Sequence, residues 1–449
     1  MAIASCLSAT EPGDTNSTSA PPFLRLREAT LGYHGDEADL TNLTEIRIGW
    51  FGPTNVDDAL TGDLWWAASL AIQEANSHAL DFGHQTSNFH RLPFRLIPRW
   101  AVDPWGTGVS QLTRMVYDEQ PLALIGSVDS ATTHLAEQVV AKANLPLVSP
   151  IATDKSVTLA GVSWMFSCAP SDDAIARVLV EDILATLKRD NASPTRSSRC
   201  EEALTSHASA RGRDQSLLTS AATNGNTSLA MLTCTDHESR MTTREILKAF
   251  ARSEHSPGFR FDVPPGAHDI AQQMSALAEA RPAIVLIVAR AEDTARLTRA
   301  VRSALATAAI FGSQSMSRRR FPELAGPAAE AVRFPLLFAP DSADTNAAQF
   351  VARFTAAHHR APDYTAAFTY DSTRLLVKAI RRAGPSRARI RESLTQLSPW
   401  PGIGGLIHFD GTGQNTRTNI CMGTIRDGAV VPLSLTKKPQ QTVSHNPAP

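Results

Sequence analysis

From residue 45 to residue 433 the sequence alternates short apolar runs with longer stretches whose apolar residues recur at helical spacing. No other feature limits the possible folds as much. The runs at 46–51, 92–97, 122–126 and 145–148 have the length of strands and are too short for helices. Those at 46–51 and 122–126 are nearly continuous in apolar residues, which marks strands buried on both faces. Between them, 63–76, 106–117 and 132–143 carry the helical period that supplies the cover. Strand and helix repeated in this order, with short polar turns, require βαβ units around a parallel sheet.

A strand at 163–167 and a long helix at 172–189 open a second set. It is interrupted at 190–226, where Ser, Thr, Ala, Arg and Asn dominate. This reads as a surface insertion with a short helix near 201–210. The alternation resumes with strands at 229–233, 259–261, 283–288, 308–311 and 332–338, and helices at 242–253, 270–279 and 294–305. Helices at 347–359, 364–383 and 386–397 follow. Strands at 405–409, 418–426 and 429–433 close the chain, the last two meeting at an Asp427-Gly428 hairpin turn. The fold class expected is α/β, with two doubly wound parallel-sheet lobes and a cleft at the strand C-termini.

Composition removes several functions. Of 449 residues, 43 % are hydrophobic, enough to build a core. The 43 Lys+Arg against 44 Asp+Glu leave a formal charge of −1, without the footprint of a nucleic-acid binder. No run of about 18 apolar residues suggests a membrane-spanning helix. Cys6, Cys168, Cys200, Cys234 and Cys421 form no CxxC, and no Cys/His group has zinc-finger spacing, so neither metal nor cofactor is expected. Ile3-Ala4-Ser5-Cys6 fits the small-residue pattern at which bacterial lipoprotein signal peptides are cut. Either Cys6 carries a lipid anchor and its signal sequence lies upstream of Met1, or so short a pattern arises by chance. The leader 1–44 and the tail 436–449 are polar and are expected to be disordered.

Several short motifs then fall in a telling order. They are Ile46-Arg47-Ile48-Gly49-Trp50-Phe51-Gly52-Pro53; Gly62 before a helix ending Ile72-Gln73-Glu74-Ala75-Asn76; and Asp103-Pro104 before a helix. Next come Leu124-Ile125-Gly126-Ser127 with Ser130, and Leu145-Pro146-Leu147-Val148-Ser149-Pro150. Thr369-Tyr370-Asp371-Ser372 and Ile407-His408-Phe409-Asp410, within the glycine-rich 404–413, complete the series. Over residues 45–433 the chain resembles the type I periplasmic binding proteins, specifically the branched-chain amino-acid (Leu/Ile/Val) binding family of ABC importers.

The resemblance implies a clamshell whose lobes are joined by three hinge crossovers, near Ala169-Pro170, Ala339-Pro340 and 402–404. Lobe one would comprise 45–169 and 340–403, and lobe two 170–339 and 404–435. It implies a monomer on the periplasmic or extracellular face of a bacterial membrane. Its partners would be a small-molecule solute and the ABC permease subunits, to which the Cys6 pattern adds the option of a lipid anchor.

The same resemblance implies the ligand contacts. Lobe one would hold the solute through Ser130 and Thr132 of the loop 127–133, and through Thr153 and the Ile151 backbone of the loop 149–153. Hydroxyls and N–H groups at a helix N-terminus can cradle an anion. The hydroxyls of Ser130 and of Thr132 or Thr133 can equally cap the helix that follows. From lobe two, Gln314 stands in the Ser313-Gln314-Ser315 loop, where amino-acid binders of the family carry an acidic side chain for the ligand ammonium. Trp66 would wall the pocket, although core packing also accounts for a tryptophan on this apolar helix. Arg290 stands where the family often has an aromatic.

An enzyme is the rival class. Gly49-Trp50-Phe51-Gly52-Pro53 is not GxGxxG, and the chain has neither a GxSxG elbow nor a P-loop, so no catalytic residue is expected. A regulator would need an N-terminal helix-turn-helix, which the Ser/Thr/Pro-rich leader does not offer. The expected function is a solute-binding protein of an ABC transporter that takes an amino acid or amide-like solute and closes by hinge motion. The alternative is the same clamshell serving as the ligand-sensing subunit of a membrane receptor or kinase.

Overall fold

A computed structural model of the chain describes residues 42–58, 60–77, 88–101, 104–192, 226–340, 344–417 and 420–433. Cys6, Cys200, nearly all of the leader, most of the 190–226 insertion and the tail lie outside the described residues.

Two parallel sheets carry the fold. Ile46–Phe51 (β1), Phe94–Arg99 (β2), Ala123–Gly126 (β3), Leu147–Ser149 (β4) and Met165–Pro170 (β5) pair in the order β5-β4-β3-β1-β2. Asn226–Cys234 (β6), Pro257–Val263 (β7), Ile284–Val288 (β8), Ala309–Gly312 (β9) and Arg333–Leu336 (β10) pair in the order β10-β9-β8-β6-β7.

The two-residue period of each strand divides its side chains between two cores. In the first sheet Ile48, Trp50, Ile125 and Val148 pack against Leu375, Leu376 and Ile380 of the helix Tyr364–Ala383. Phe51, Leu124 and Leu147 point the other way, onto Leu112, Met115 and Leu135. The second sheet repeats the arrangement. Leu232, Val285 and Ile287 meet Leu297 and Phe321, while Met231, Ile284 and Leu286 meet Leu179, Ile183 and Phe250. Cover on both faces is why the sequence shows continuous apolar runs.

The chain passes between the sheets three times. After β5 the helix Asp172–Ala192 packs on the second sheet through Leu179, Val180 and Ile183. After β10 the helices Thr345–His358, Tyr364–Ala383 and Arg387–Leu397 return to the first lobe.

The third crossing differs from the one implied by the motifs at 402–404. Trp400–Gly402 (β11) and Gly405–Ile407 (β12) form a small antiparallel pair, and Gln414–Asn415 (β13) lies parallel to β5 in the first sheet. Cys421–Arg426 (β14) is the first of these terminal strands to join the second sheet, antiparallel to β10. The crossing therefore lies between Asn415 and Cys421, and 404–415 belong to the first lobe. The physical reason is local. The buried Asp371 carboxylate accepts the N–H groups of Ile403 at 2.9 Å and Gly404 at 2.8 Å. Asn415 Nδ2 donates to the Cys168 carbonyl at 2.6 Å, and Gln414 Nε2 to that of Ala169 at 2.9 Å. Gly402 and Gly404 permit this close approach, since a Cβ would fall 2.3 Å from Asp371 Oδ2 and 2.6 Å from the Phe368 ring, respectively. Burial holds the Asp371 carboxyl up at about 7, although these N–H groups oppose it.

Ala429–Pro432 (β15) pairs antiparallel with β14. Asp427 and Gly428, with φ of 53° and 74°, form the tight turn between them.

Candidate functional site

Parallel strands place all their C-terminal ends on one edge, and ligands of open α/β sheets bind there. In this chain those edges of the two sheets face each other across a cavity of about 420 Å³. The first lobe lines it with Leu60, Thr61, Asp129, Ile151, Thr153 and Tyr364. The second contributes Glu238, Thr242, Arg290, Ser313, Gln314 and Arg318. A volume of this size suits a small molecule.

The first-lobe wall is built from the loops after β3 and β4. Asp129 caps the helix Ser130–Ala143, its carboxylate accepting from Thr132 N at 2.8 Å and Thr132 Oγ1 at 2.5 Å. Thr133 Oγ1 donates to the Asp129 carbonyl at 2.7 Å and accepts from Ser127 N at 3.1 Å. Ser130, wholly buried, ties the two loops together: its Oγ accepts the N–H groups of Thr153 and Asp154, each at 3.3 Å.

The second-lobe wall turns on Glu238, in the first turn of the helix His237–Arg252. Its carboxylate crosses the cleft and accepts the Ala131 N–H at 3.0 Å, at the N-terminus of the first-lobe helix. Burial, then the nearby Asp129 and Asp172 carboxylates, hold Glu238 well above the usual carboxylate range, and hydrogen bonds from Ser130 and Ala131 only partly offset them. At the base of the cleft Asp172 is also buried. Its carboxyl is pushed up to about 7 by burial, against hydrogen bonds from Thr153 and Thr242. Gln314 Nε2 donates to it at 3.5 Å, while the buried Gln314 Oε1 has no partner among the described residues.

Second-lobe arginines reach first-lobe aspartates along the cleft. Arg318 Nε donates to Asp363 at 2.7 Å, and a terminal nitrogen donates to the Leu60 carbonyl at 2.7 Å. Arg290 stands 3.5 Å from Asp129, Arg244 3.8 Å from Asp154 and Arg319 4.0 Å from Asp63. At the rim, His134 and His237 flank Asp154. Hydrogen bonds to Asp154, then Glu137, raise His134 to about 9. Burial pulls Asp154 upward, but hydrogen bonds from His134 and Ser156 outweigh it and hold the carboxyl far below its ordinary range.

Of the residues singled out in the sequence, Ile151, Thr153 and Gln314 come together in the cavity wall. Ser130 does not line the cavity but bonds two residues that do, Thr153 and Glu238. Thr132 is occupied in capping with Asp129. Trp66 packs its ring 3.8 Å from that of His358, away from the cavity, and Trp65 leans on Trp50 in the core. Glu238, Arg318 and Tyr364 escaped sequence reasoning. The available signal for Glu238 was its place: Asp236-His237-Glu238 opens a helix directly after a parallel strand, where ligands bind.

The periplasmic binding protein family model matches residues 45–429. The chain belongs to this family. It is a family of binding proteins, not of enzymes, and it is extracytoplasmic. Solved structures similar to this periplasmic binding protein include the branched-chain amino acid transporter substrate-binding protein LivJ from Streptococcus pneumoniae, in complex with isoleucine. That structure is 16% identical over 87% of this chain and 99% of its own, with a TM-score of 0.68. The leucine-binding protein LivK from Thermotoga maritima is 18% identical over 87% and 98%, with a TM-score of 0.67. A solute-binding protein of an ABC transporter from Rhodopseudomonas palustris, in complex with 3,4-dihydroxybenzoic acid, is 13% identical over 87% and 97%, with a TM-score of 0.65. At these identities the likeness is one of fold. No curated protein matches the chain significantly. Among the described residues, no helix of this binding protein is long and apolar enough to cross a membrane.

Proposed function

We propose that this protein is the solute-binding subunit of an ABC importer and that it closes on a small polar solute, an amino acid or amide-like molecule, by hinge motion. The observation that carries the reading is the cavity of about 420 Å³ walled by both lobes, so that one solute touches each. A solute that bonds to the second lobe only after closure shifts such a clamshell toward its closed form.

The wall chemistry supports the solute class. Arg318 is engaged by Asp363 and Arg290 stands against Asp129, whereas Gln314 Oε1 is a buried acceptor without a partner among the described residues. A solute N–H would satisfy it. The Ala131 N–H, a natural donor to a solute carboxylate, is already taken by Glu238. An amide or amine can enter without displacing Glu238, whereas an amino acid's carboxylate has to exchange with it.

A thermal-shift screen of amino acids, simple amides and urea tests the reading. A true ligand at about 100 times its dissociation constant adds about 2.7 kcal/mol of stability, visible as a raised melting temperature. Silence from all of these, with a shift produced by a nucleotide, would reject the solute class.

A further inference from the structure

We propose that His134, Asp154 and His237 form a binding site for a divalent transition metal of the zinc class, assembled across the two lobes at the rim of the cleft. His134 lies on the first-lobe helix Ser130–Ala143, Asp154 follows β4, and His237 opens the second-lobe helix His237–Arg252. Their donor atoms lie within 4.8 Å of one another. His134 Nε2 and His237 Nε2 stand 3.6 Å and 3.5 Å from the same oxygen, Asp154 Oδ2. Ligand bonds of about 2.0–2.2 Å around a tetrahedral zinc separate neighbouring donors by about 3.4 Å. Two edges of the ligand triangle therefore already have the right length. The third closes by a small swing of His237, whose side chain is 43% exposed.

The surroundings of these donors are those of a metal site. A metal-bound histidine usually presents its second ring nitrogen to a carboxylate, which fixes the tautomer and strengthens the ligand. Glu137 Oε2 sits 3.1 Å from His134 Nδ1. The other Asp154 oxygen is held by Ser156 N at 2.9 Å and approached by Arg244 at 3.8 Å, which leaves Oδ2 turned toward the histidines. The Ser156 hydroxyl lies 2.7 Å from Asp154 Oδ2 and 3.1 Å from His134 Nε2. It is the group that an incoming metal would displace. Two imidazoles and one carboxylate favour zinc-class ions over magnesium or calcium, which prefer all-oxygen ligands. The sequence concealed the set because its members are far apart and none belongs to a Cys/His motif. Without metal, the same groups form the ion cluster at the rim.

Since the ligands come from both lobes, a bound metal would itself draw the lobes together, as the solute does. Metal and solute should then each strengthen the binding of the other. This link to closure rests on the proposed clamshell function, whereas the site itself does not.

Titration of the full chain with Zn²⁺ alone, in competition with a chromophoric chelator, tests the site. The wild type is expected to take up one Zn²⁺ per chain with a defined affinity. His237→Ala, a surface change, should abolish that uptake, and Glu137→Gln should weaken it by about 10–100-fold. Absence of 1:1 uptake by the wild type, or uptake unchanged in His237→Ala, overturns the proposal. Because no solute is present, failure here leaves the solute reading intact, and a failed solute screen leaves this site intact.

Discussion

Arg318 and Asp363 form an ion pair of 2.7 Å between the lobes, and the same carboxylate starts the helix Tyr364–Ala383 by accepting Thr365 N at 2.9 Å. One buried aspartate thus organises a first-lobe helix and holds a second-lobe cation. Both side chains are nearly out of solvent, at 12% and 6% exposure. Removing one partner of such a pair leaves a buried charge uncompensated, at a cost of about 3–5 kcal/mol. Arg318→Met is therefore expected to open the solute-free protein. Small-angle X-ray scattering should record a larger radius of gyration than for the wild type, and an unchanged radius would show that the pair does not hold the lobes.

Asp363 also sets an acid limit. Burial alone would raise its carboxyl, but Arg318 and the hydrogen bonds from Thr365 outweigh burial and hold it below the ordinary range. A carboxyl lowered in the folded state stabilises fully above its unfolded value of about 3.9. That contribution is lost as pH falls through the lower, folded value. Asp363→Asn retains an acceptor for Thr365 N but lacks the charge. Its melting temperature should lie below the wild type's at pH 7, and the gap should shrink below about pH 4. A gap that stays constant through the acid range would detach the effect from ionisation.

The sheets were readable because burial on both faces writes itself into sequence as runs such as Ile284–Val288 and Ala123–Gly126, whose residues are all buried. The Asp427-Gly428 turn was equally plain, since few residue pairs tolerate two positive φ values. The third crossing was not readable. It depends on Asp371, Gln414 and Asn415 bonding to backbone far away in the chain, which no local period records. The cavity shows the same division. Ile151 and Thr153 follow a recognisable strand-end motif, while Glu238 matters only because tertiary packing brings it to Ala131.

Glu238 should decide which solutes the cleft accepts. Glu238→Gln keeps an oxygen for the Ala131 N–H and removes a carboxyl that, although held above the usual range in the empty cleft, would ionise beside an ammonium. Hydrogen bonds to charged groups contribute about 1.5–3 kcal/mol, so an ammonium-bearing solute should lose about 10-fold or more in affinity. A neutral amide should lose far less. Isothermal titration with a matched amine and amide measures the difference, and equal losses for both would remove Glu238 from the solute's charge recognition.

Ser130 and Thr153 separate the floor of the cleft from its wall. Ser130 Oγ accepts two buried backbone N–H groups, so Ser130→Ala leaves both without their acceptor and should lower stability by about 1–3 kcal/mol. Solute affinity should fall with it, because the Thr153 loop loses its tie to the helix Ser130–Ala143. Thr153→Ala keeps that backbone bond and removes from the wall a hydroxyl that also bonds the Asp172 carboxyl. It should weaken solute binding while lowering the melting temperature of the free protein less than Ser130→Ala does, because Asp172 keeps its bond from Thr242. Paired thermal melts and titrations of the two variants distinguish these roles. Full solute affinity in Thr153→Ala would place the solute away from the loop after β4.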